Sequence, residues 1–187
     1  THDSGGIVIC KDKSSLDREA AKAKLRASLK RDYSKIAREW AYQNVPRRII
    51  AEKYISELGN DDLLDYKMYS FHGEPKLTVV CSDRFSKTGT RMNFYDINWE
   101  PMGIHFGHYP PLSTEFPKPA TYEEMKRLTA ELSKDCPFLR VDFYEIKGRL
   151  YIGELTFFPG AGLEQFCPMT KDYELGEWLH LENVHRG

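Results

Sequence analysis

The sequence predicts an α+β fold in which largely antiparallel strands are accompanied by a few packed helices. Three stretches, 63–71, 75–83 and 91–99, are rich in aromatic and β-branched residues and are separated by glycine-containing turns. Two others, 15–30 and 121–133, repeat apolar residues at helical spacing. Strands joined by short turns pair antiparallel, whereas parallel strands need long crossovers, so this order favours antiparallel sheets.

Other stretches complete the predicted order of elements. Apolar residues at 7–10 predict a short strand, and 48–55 predicts another that leads into an acidic loop. Five prolines lie within 101–119 and indicate an irregular loop. Thr121 and Glu124 have the spacing of a capping box, in which two side chains satisfy backbone N–H groups at a helix start. We therefore expect this box to begin the second long helix.

Composition excludes several classes of protein. The chain has 187 residues, which is long enough for one domain with a substantial core, and its formal net charge is −1. We interpret the lysines and arginines as dispersed along the chain. Because nucleic acids and anionic membranes call for a basic patch, we expect neither nucleic acid binding nor membrane insertion. The sequence contains no apolar run of membrane-spanning length and no signal-peptide pattern, which predicts a cytoplasmic protein. Four widely spaced cysteines indicate buried thiols rather than zinc ligands.

A β-hairpin that carries two carboxylates is the strongest functional signal. Alternation along 140–156 places Arg140, Asp142, Glu154 and Thr156 at polar positions of the two strands. On a shared face, the carboxylates would offer hard oxygen ligands, which suit Mg²⁺ in combination with phosphate oxygens and water. The hairpin therefore predicts a metal and phosphate site, and the alternative is a solvated polar strand face.

The turn of this hairpin decides whether the polar side chains share a face, because a register slip of one residue reverses the faces of a strand. Residues 146–148 fit a three-residue loop with glycine in the left-handed conformation. We then expect Arg140 to lie opposite Glu154, with Asp142 diagonal to it. A two-residue turn would instead place the two carboxylates on opposite faces.

Two further groups are candidates for substrate or phosphate contacts. Lys67 shares a predicted strand face with Asp65 and Tyr69 and could steady an anionic substrate or a phosphate. Gly5 and Gly6 could form a loop whose backbone N–H groups approach phosphates closely. A solvated strand face and an ordinary turn are the alternatives.

Other residues give weaker signals. Glu52 and Lys53 end a predicted strand whose edge could contact a flat base, and the alternative is a salt-bridged strand end. His105 and His108 lie in the proline-rich loop without matching metal ligands, so we interpret them as loop histidines. The sequence has no Gly-x-Ser-x-Gly elbow, Walker-type loop or Rossmann glycine pattern, and a serine hydrolase is not predicted.

The order of these pieces resembles the ATP-grasp enzymes, and most closely the TupA-like group of teichuronopeptide biosynthesis. The most specific segments are Ile49-Ile-Ala-Glu-Lys-Tyr-Ile, Asp65-Tyr-Lys-Met-Tyr-Ser-Phe-His-Gly, and Arg140-Val-Asp-Phe-Tyr through Gly-Glu-Leu-Thr-Phe. The resemblance implies an ATP-grasp-like fold, with 1–55 in the smaller glycine-loop subdomain and 56–187 forming the metal- and phosphate-binding subdomain. It also implies that the N-terminal part of the full enzyme, with its phosphate-binding lysine, lies upstream of Thr1.

The resemblance implies roles for the candidate residues. Asp142 and Glu154 carry magnesium ions, and Arg140 contacts the γ-phosphate of ATP. Together with Lys67, which could steady an anionic substrate or a phosphate, Arg140 is predicted to be catalytic. Thr156 stands where many family members have asparagine, and its hydroxyl is the weaker Mg²⁺ ligand. The implied contacts to adenine are Glu52, Lys53 and Ile55. Glu57, Asp61 or Asp62 is the implied ribose contact. The loop at 2–6, with Gly5 and Gly6, would cover the phosphates.

The implied activity is that of an ATP- and Mg²⁺-dependent carboxylate–amine ligase that forms an amide through an acyl phosphate. Its expected partners are a small-molecule or polysaccharide carboxylate and an amine, and the product would decorate a cell-surface polysaccharide or its precursor. Two alternatives remain open. One is a non-catalytic nucleotide-binding or assembly module, and the other is a glycoside hydrolase that uses Asp142 and Glu154 as its carboxylate pair.

Overall fold

The computed structural model describes residues 6–54, 63–82, 90–107 and 115–180. The chain divides into two compact units, Thr1–Gly59 and Asn60–Gly187. Their helices and antiparallel strands confirm the predicted α+β class. The functional assignment of the two predicted subdomains stays a prediction.

The first unit begins with helix α1, Arg18–Leu29, which confirms most of the helix predicted at 15–30. Asp17 is its N-cap, and the carboxylate accepts the backbone N–H groups of Glu19 and Ala20 at 3.0 and 2.9 Å. A carboxylate suits this position because it satisfies free N–H groups and lies at the positive end of the helix dipole.

The rest of the first unit contains little regular structure. Helix α2 (Tyr33–Ile36) is one turn long, and a 3₁₀ turn follows at Trp40–Tyr42. The strands predicted at 7–10 and 48–55 are wrong, because 7–10 and the described residues 48–54 have no regular secondary structure. Their isoleucines are largely exposed. A strand needs a neighbouring strand to pair its backbone groups, and an apolar pattern alone does not supply one.

The second unit contains a five-stranded antiparallel sheet. Its elements are β1 (Asp65–Phe71), β2 (Glu74–Ser82), β3 (Arg91–Asp96), β4 (His105–Phe106), α3 (Tyr122–Ser133), β5 (Phe138–Ile146), β6 (Arg149–Thr156), β7 (Phe166–Cys167) and α4 (Met169–Glu177). The order in the sheet is β3-β2-β1-β5-β6, and β4 pairs separately with β7. The three strands predicted between 63 and 99 are confirmed; β1 and β3 are shorter than expected, and β2 begins one residue earlier. The α4 helix was not predicted.

The two faces of the sheet have different coverings. One face carries Met68 and Val141 and packs against Met125 of α3. The other carries Leu77 and Val79 from the central strands and packs in an apolar cluster with β4, β7 and α4. This second face is polar at the start of β1 and on the neighbouring parts of β5 and β6, and the candidate site lies there.

The start of α3 differs from the predicted capping box. The Thr121 side chain makes no cap to the helix backbone. Instead, the backbone N–H and the hydroxyl of Thr121 both donate to Glu145 Oε2, at 2.9 and 2.6 Å. Because the Glu145 carboxylate accepts both donors of Thr121, this contact to β5 stands in place of the local box and ties the helix start to the sheet.

None of the helices in the described part of the chain is both long and apolar enough to cross a membrane. None of the four cysteines, all of which the structure describes, forms a disulfide; Cys81 is buried and the others are partly buried.

Tyr66 gives a pH dependence that can be tested. Burial, with a smaller contribution from the charge of Glu145, raises the pKa of Tyr66 to about 12. The folded chain therefore holds this proton more tightly than the unfolded chain, whose tyrosine ionises near pH 10. We expect stability to hold below about pH 10 and to fall as pH rises towards 12. Tyr66→Phe should flatten that decline in urea unfolding, whereas the exposed control Tyr54→Phe should not. An unchanged slope for Tyr66→Phe would contradict this.

Candidate active site

The hairpin between β5 and β6 has a different turn from the one predicted. Ile146 pairs with Arg149, so only Lys147 and Gly148 form the loop. Both have positive φ, 52° and 73°, as in the type I′ turns that suit two-residue hairpins. The predicted three-residue loop is therefore wrong. Lys147 adopts the left-handed conformation as well as Gly148, whereas the predicted loop placed only the glycine in it.

A β-bulge nevertheless keeps the two carboxylates together. Gly153 is an additional residue in β6, and pairing resumes beyond it with Glu154 directly opposite Asp142. One inserted residue restores the face that the shorter turn would have reversed. A Cβ on Gly153 would lie 2.5 Å from the Tyr144 ring, so only glycine lets the ring lie against the bulge. The predicted diagonal arrangement is thus replaced by a direct cross-strand pair.

Arg140 holds the carboxylate of Asp142 at two points. Its Nε donates to Oδ1 at 2.7 Å and its Nη2 donates to Oδ2 at 2.8 Å. Arg140 lies opposite Thr156, not opposite Glu154 as predicted. Its Nη2 is still 3.7 Å from Glu154 Oε2. The guanidinium therefore contacts both carboxylates of the hairpin.

Lys67 is the second cation on Asp142. It lies directly opposite on β1 and donates to Asp142 Oδ2. Its Nζ is also 2.8 Å from Asp65 Oδ2. Both aspartates and the lysine are buried, and a buried ammonium is tolerated only where carboxylates compensate its charge. Three strand faces thus meet in one ionic cluster, formed by Asp65, Lys67, Arg140, Asp142 and Glu154, which we call the ionic cluster.

The ionic cluster has one more negative charge than positive charges. Three carboxylates face one ammonium and one guanidinium. A carboxylate has about four lone-pair positions, and the contacts to Asp142 use three of them, leaving one on Oδ1. A divalent cation would reverse the formal charge of the ionic cluster from −1 to +1, which suits an anionic ligand such as a phosphate.

Thr156 provides the test of whether these residues fit a magnesium ion. Its Oγ1 is buried and has no hydrogen-bond partner within the described ranges. Such an atom is uncommon and calls for a ligand or water. Glu154 lies on the same face with a side chain that is 39% exposed, so its carboxylate is accessible. The oxygens of Glu154 and Thr156, with the remaining position on Asp142, form a hard donor set that fits Mg²⁺.

The described residues contain no group of three or more histidine, cysteine, aspartate or glutamate side chains arranged to hold a metal ion. A cation at the hairpin would therefore need oxygen ligands from elsewhere. Mg²⁺ commonly meets this requirement with water and substrate phosphates, and it takes only one or two carboxylates from the protein.

The electrostatics keep Arg140 charged and Tyr69 neutral. Burial alone would lower the pKa of Arg140, but the charge and hydrogen bonds of Asp142 outweigh burial and raise it. Burial raises the pKa of Tyr69, which lies opposite Arg140 on β1 and receives a hydrogen bond from it. The charge of Glu164 raises it further. Sequence reasoning missed Glu164, because nothing in its surroundings links the loop after β6 to this face.

The predicted contacts to the nucleotide stay predictions. Gly6, Glu52 and Lys53 lie in the first unit, outside any helix or strand of four residues or more. Five predicted contacts fall outside the described residues: Gly5, Ile55, Glu57, Asp61 and Asp62. His108 also lies outside them, and His105 is part of the short strand β4.

Comparison with known proteins gives one finding. A family model described as TupA-like ATPgrasp matches residues 1–180, nearly the whole chain. No curated protein and no solved structure matches the chain.

Proposed function

The chain belongs to the TupA-like ATP-grasp family, and from this premise we propose that it is an ATP-dependent ligase that joins a carboxylate to an amine. One observation carries the proposal. Asp142 and Glu154 lie directly opposite each other on one sheet face, with Arg140 in contact with both.

The chemistry of such a ligase begins with activation of a carboxylate. A carboxylate is a poor electrophile until one of its oxygens can leave as phosphate. Transfer of the γ-phosphoryl group from ATP forms an acyl phosphate and ADP. The amine then attacks the acyl carbon, inorganic phosphate leaves, and an amide remains.

The residues of the hairpin have distinct parts in this proposal. Asp142, Glu154 and Thr156 would hold Mg²⁺, which neutralises phosphate charge and polarises the transferred group when it is bound. Arg140 stabilises negative charge on that group through preorganised N–H donors. Lys67 donates to Asp142 and holds its carboxylate in place while the Arg140 guanidinium contacts the transferred group.

The proposed substrates follow from the family resemblance. The carboxylate belongs to a cell-surface polysaccharide or its precursor, and the amine to an amino acid or a small amine. We propose that the reaction takes place in the cytoplasm, where ATP is supplied.

The two alternatives make different demands on the site. A non-catalytic nucleotide-binding module is favoured by Thr156, whose hydroxyl replaces a stronger amide ligand; it predicts ATP binding without ADP release. A glycoside hydrolase needs two carboxylates that reach one sugar cleft. Asp142 is only 2% exposed and is held by two cations, so this alternative draws no support from the hairpin.

The proposed function is tested by calorimetric titration with a non-hydrolysable ATP analogue, with and without Mg²⁺. We expect Mg²⁺-dependent binding in the unmodified chain and at least a tenfold weaker affinity in Glu154→Gln, because this variant removes a ligand charge. Because the Glu154 side chain is partly exposed, we expect this variant to fold normally. Glu131→Gln, an exposed change on α3, should bind normally. Equal affinity for the analogue in the chain and in Glu154→Gln would count against the metal role of the hairpin.

A further inference from the structure

Positive charge is concentrated in one part of the chain. Residues 18–48 contain ten lysines and arginines and three acidic residues, whereas the rest contains seventeen basic and twenty-five acidic residues. The interpretation of the lysines and arginines as dispersed is therefore wrong, because they are concentrated between residues 18 and 48. Nine of these ten basic side chains are exposed. A concentrated, exposed charge of this kind attracts polyanions over distances of about 8–10 Å at moderate salt.

Four of these residues lie in a line along helix α1 and its C-cap, and we call them the basic stripe: Arg18, Lys22, Arg26 and Lys30. They recur every fourth residue, so neighbours are about 6 Å apart along the axis and turn gradually around one flank. All four are exposed. The buried or partly buried positions of α1 are Ala21, Leu25, Ser28 and Leu29. They centre on a direction roughly 90° around the helix axis from the centre of the stripe, and they adjoin the stripe at its Arg18 end.

The surface beside the basic stripe is smooth. Ala20, Ala23 and Ala27 are exposed on α1 and add little bulk. Of the four basic residues, Lys22 has an ion pair with Glu19 at 2.7 Å, and that pair is largely exposed and weakly stabilising. The stripe therefore offers several solvated cations to an extended ligand that can approach the helix closely.

We propose that the basic stripe binds a linear polysaccharide that carries repeated carboxylates. This inference rests on the proposed function, because a ligase whose carboxylate belongs to a polysaccharide meets further carboxylates on the same chain. Arginine and lysine form charge-assisted hydrogen bonds with carboxylates. A row of cations binds a row of such groups together, so the stripe retains the polymer between reactions.

Two other polyanions fit the helix less well. A membrane-surface helix needs an exposed apolar face, and the leucines of α1 are at least partly buried. Single-stranded nucleic acid is bound by basic grooves with aromatic residues on which bases stack, and α1 contains no aromatic residue.

The experiment compares binding of fluorescent polygalacturonate fragments by the whole chain and two charge-matched variants. The stripe variant is Arg18→Gln, Lys22→Gln, Arg26→Gln and Lys30→Gln. The control is Arg127→Gln, Lys134→Gln, Lys147→Gln and Arg149→Gln, four exposed positions in the second unit. Glutamine keeps helix propensity high, and circular dichroism checks the fold.

We expect the stripe variant to bind at least tenfold more weakly than the unmodified chain, with a smaller salt dependence, and the control to stay within about twofold. Neutral dextran should not bind. Equal losses in both variants, or no binding of polygalacturonate by the unmodified chain, would overturn the proposal. Tighter binding of a single-stranded oligonucleotide of equal charge would overturn the choice of polysaccharide.

Titration of the same samples with the ATP analogue separates this inference from the proposed function. Normal analogue binding without polygalacturonate binding rejects the stripe alone. Polygalacturonate binding that depends on the stripe, in a chain that does not bind the analogue, supports the stripe and rejects the ligase.

Discussion

Replacing Asp142 by asparagine is expected to lower the Mg²⁺-dependent affinity for an ATP analogue by at least about a hundredfold, or about 2.7 kcal/mol. Asparagine keeps the shape of the side chain but removes the charge that a divalent cation needs. It also leaves Arg140 and Lys67 without the carboxylate that they share. Their positive charges then repel the cation at short range, so the loss should exceed that of Glu154→Gln.

A matched variant separates the metal role from the loss of a buried ion pair. Asp65→Asn removes the same charge from the same lysine, at the start of β1 and outside the proposed set of metal ligands. Both variants should lose stability, since breaking a buried pair costs about 3–5 kcal/mol. Calorimetry well below the melting temperature should show analogue binding retained in Asp65→Asn and lost in Asp142→Asn. Equal losses in the two variants would assign Asp142 to stability alone.

The sequence predicted which side chains meet at the hairpin, but for a reason that was partly wrong. Alternation and the positions of Asp142 and Glu154 pointed to a shared face, and the structure places them on one. The predicted three-residue turn would have put both carboxylates on one face by setting the pairing register of the two strands. The protein achieves it with a shorter turn and the bulge at Gly153, which depends on the Tyr144 ring across the strands. Such a cross-strand contact leaves no local signal in a sequence.

Other differences have the same cause. Thr121 has the sequence pattern of a local cap, and its partner is Glu145 on a distant strand. The predicted face of Lys67 was correct, because alternation is a local property. Its contact with Asp142, 75 residues away, depends on which strands become neighbours. Local periodicity thus predicted most elements of the second unit and their faces, whereas pairing order and compensating irregularities required the three-dimensional structure.

Lys67 gives the second large effect, on stability rather than affinity. Its ammonium lies between Asp65 and Asp142 and is itself buried. In Lys67→Met the aliphatic volume is largely kept, but two buried carboxylates lose their common cation. Arg140 still compensates Asp142, whereas Asp65 loses a cation at 2.8 Å. Removing one partner of a buried pair costs about 3–5 kcal/mol, which corresponds to a fall of roughly 10–20 °C in melting temperature for a unit of this size.

A divalent cation should restore part of this stability. The ionic cluster of Lys67→Met has two more negative charges than positive charges, one more than in the unmodified chain. Mg²⁺ can occupy the space between carboxylates that the ammonium has left, and a ligand that binds only the folded state raises the melting temperature with its concentration. Differential scanning calorimetry at equal ionic strength should therefore show a larger Mg²⁺-dependent shift in Lys67→Met than in the unmodified chain. Adding Asp142→Asn to the variant should remove most of that shift. If Mg²⁺ and Na⁺ stabilise Lys67→Met equally at matched ionic strength, the ionic cluster is a structural feature and not a cation site.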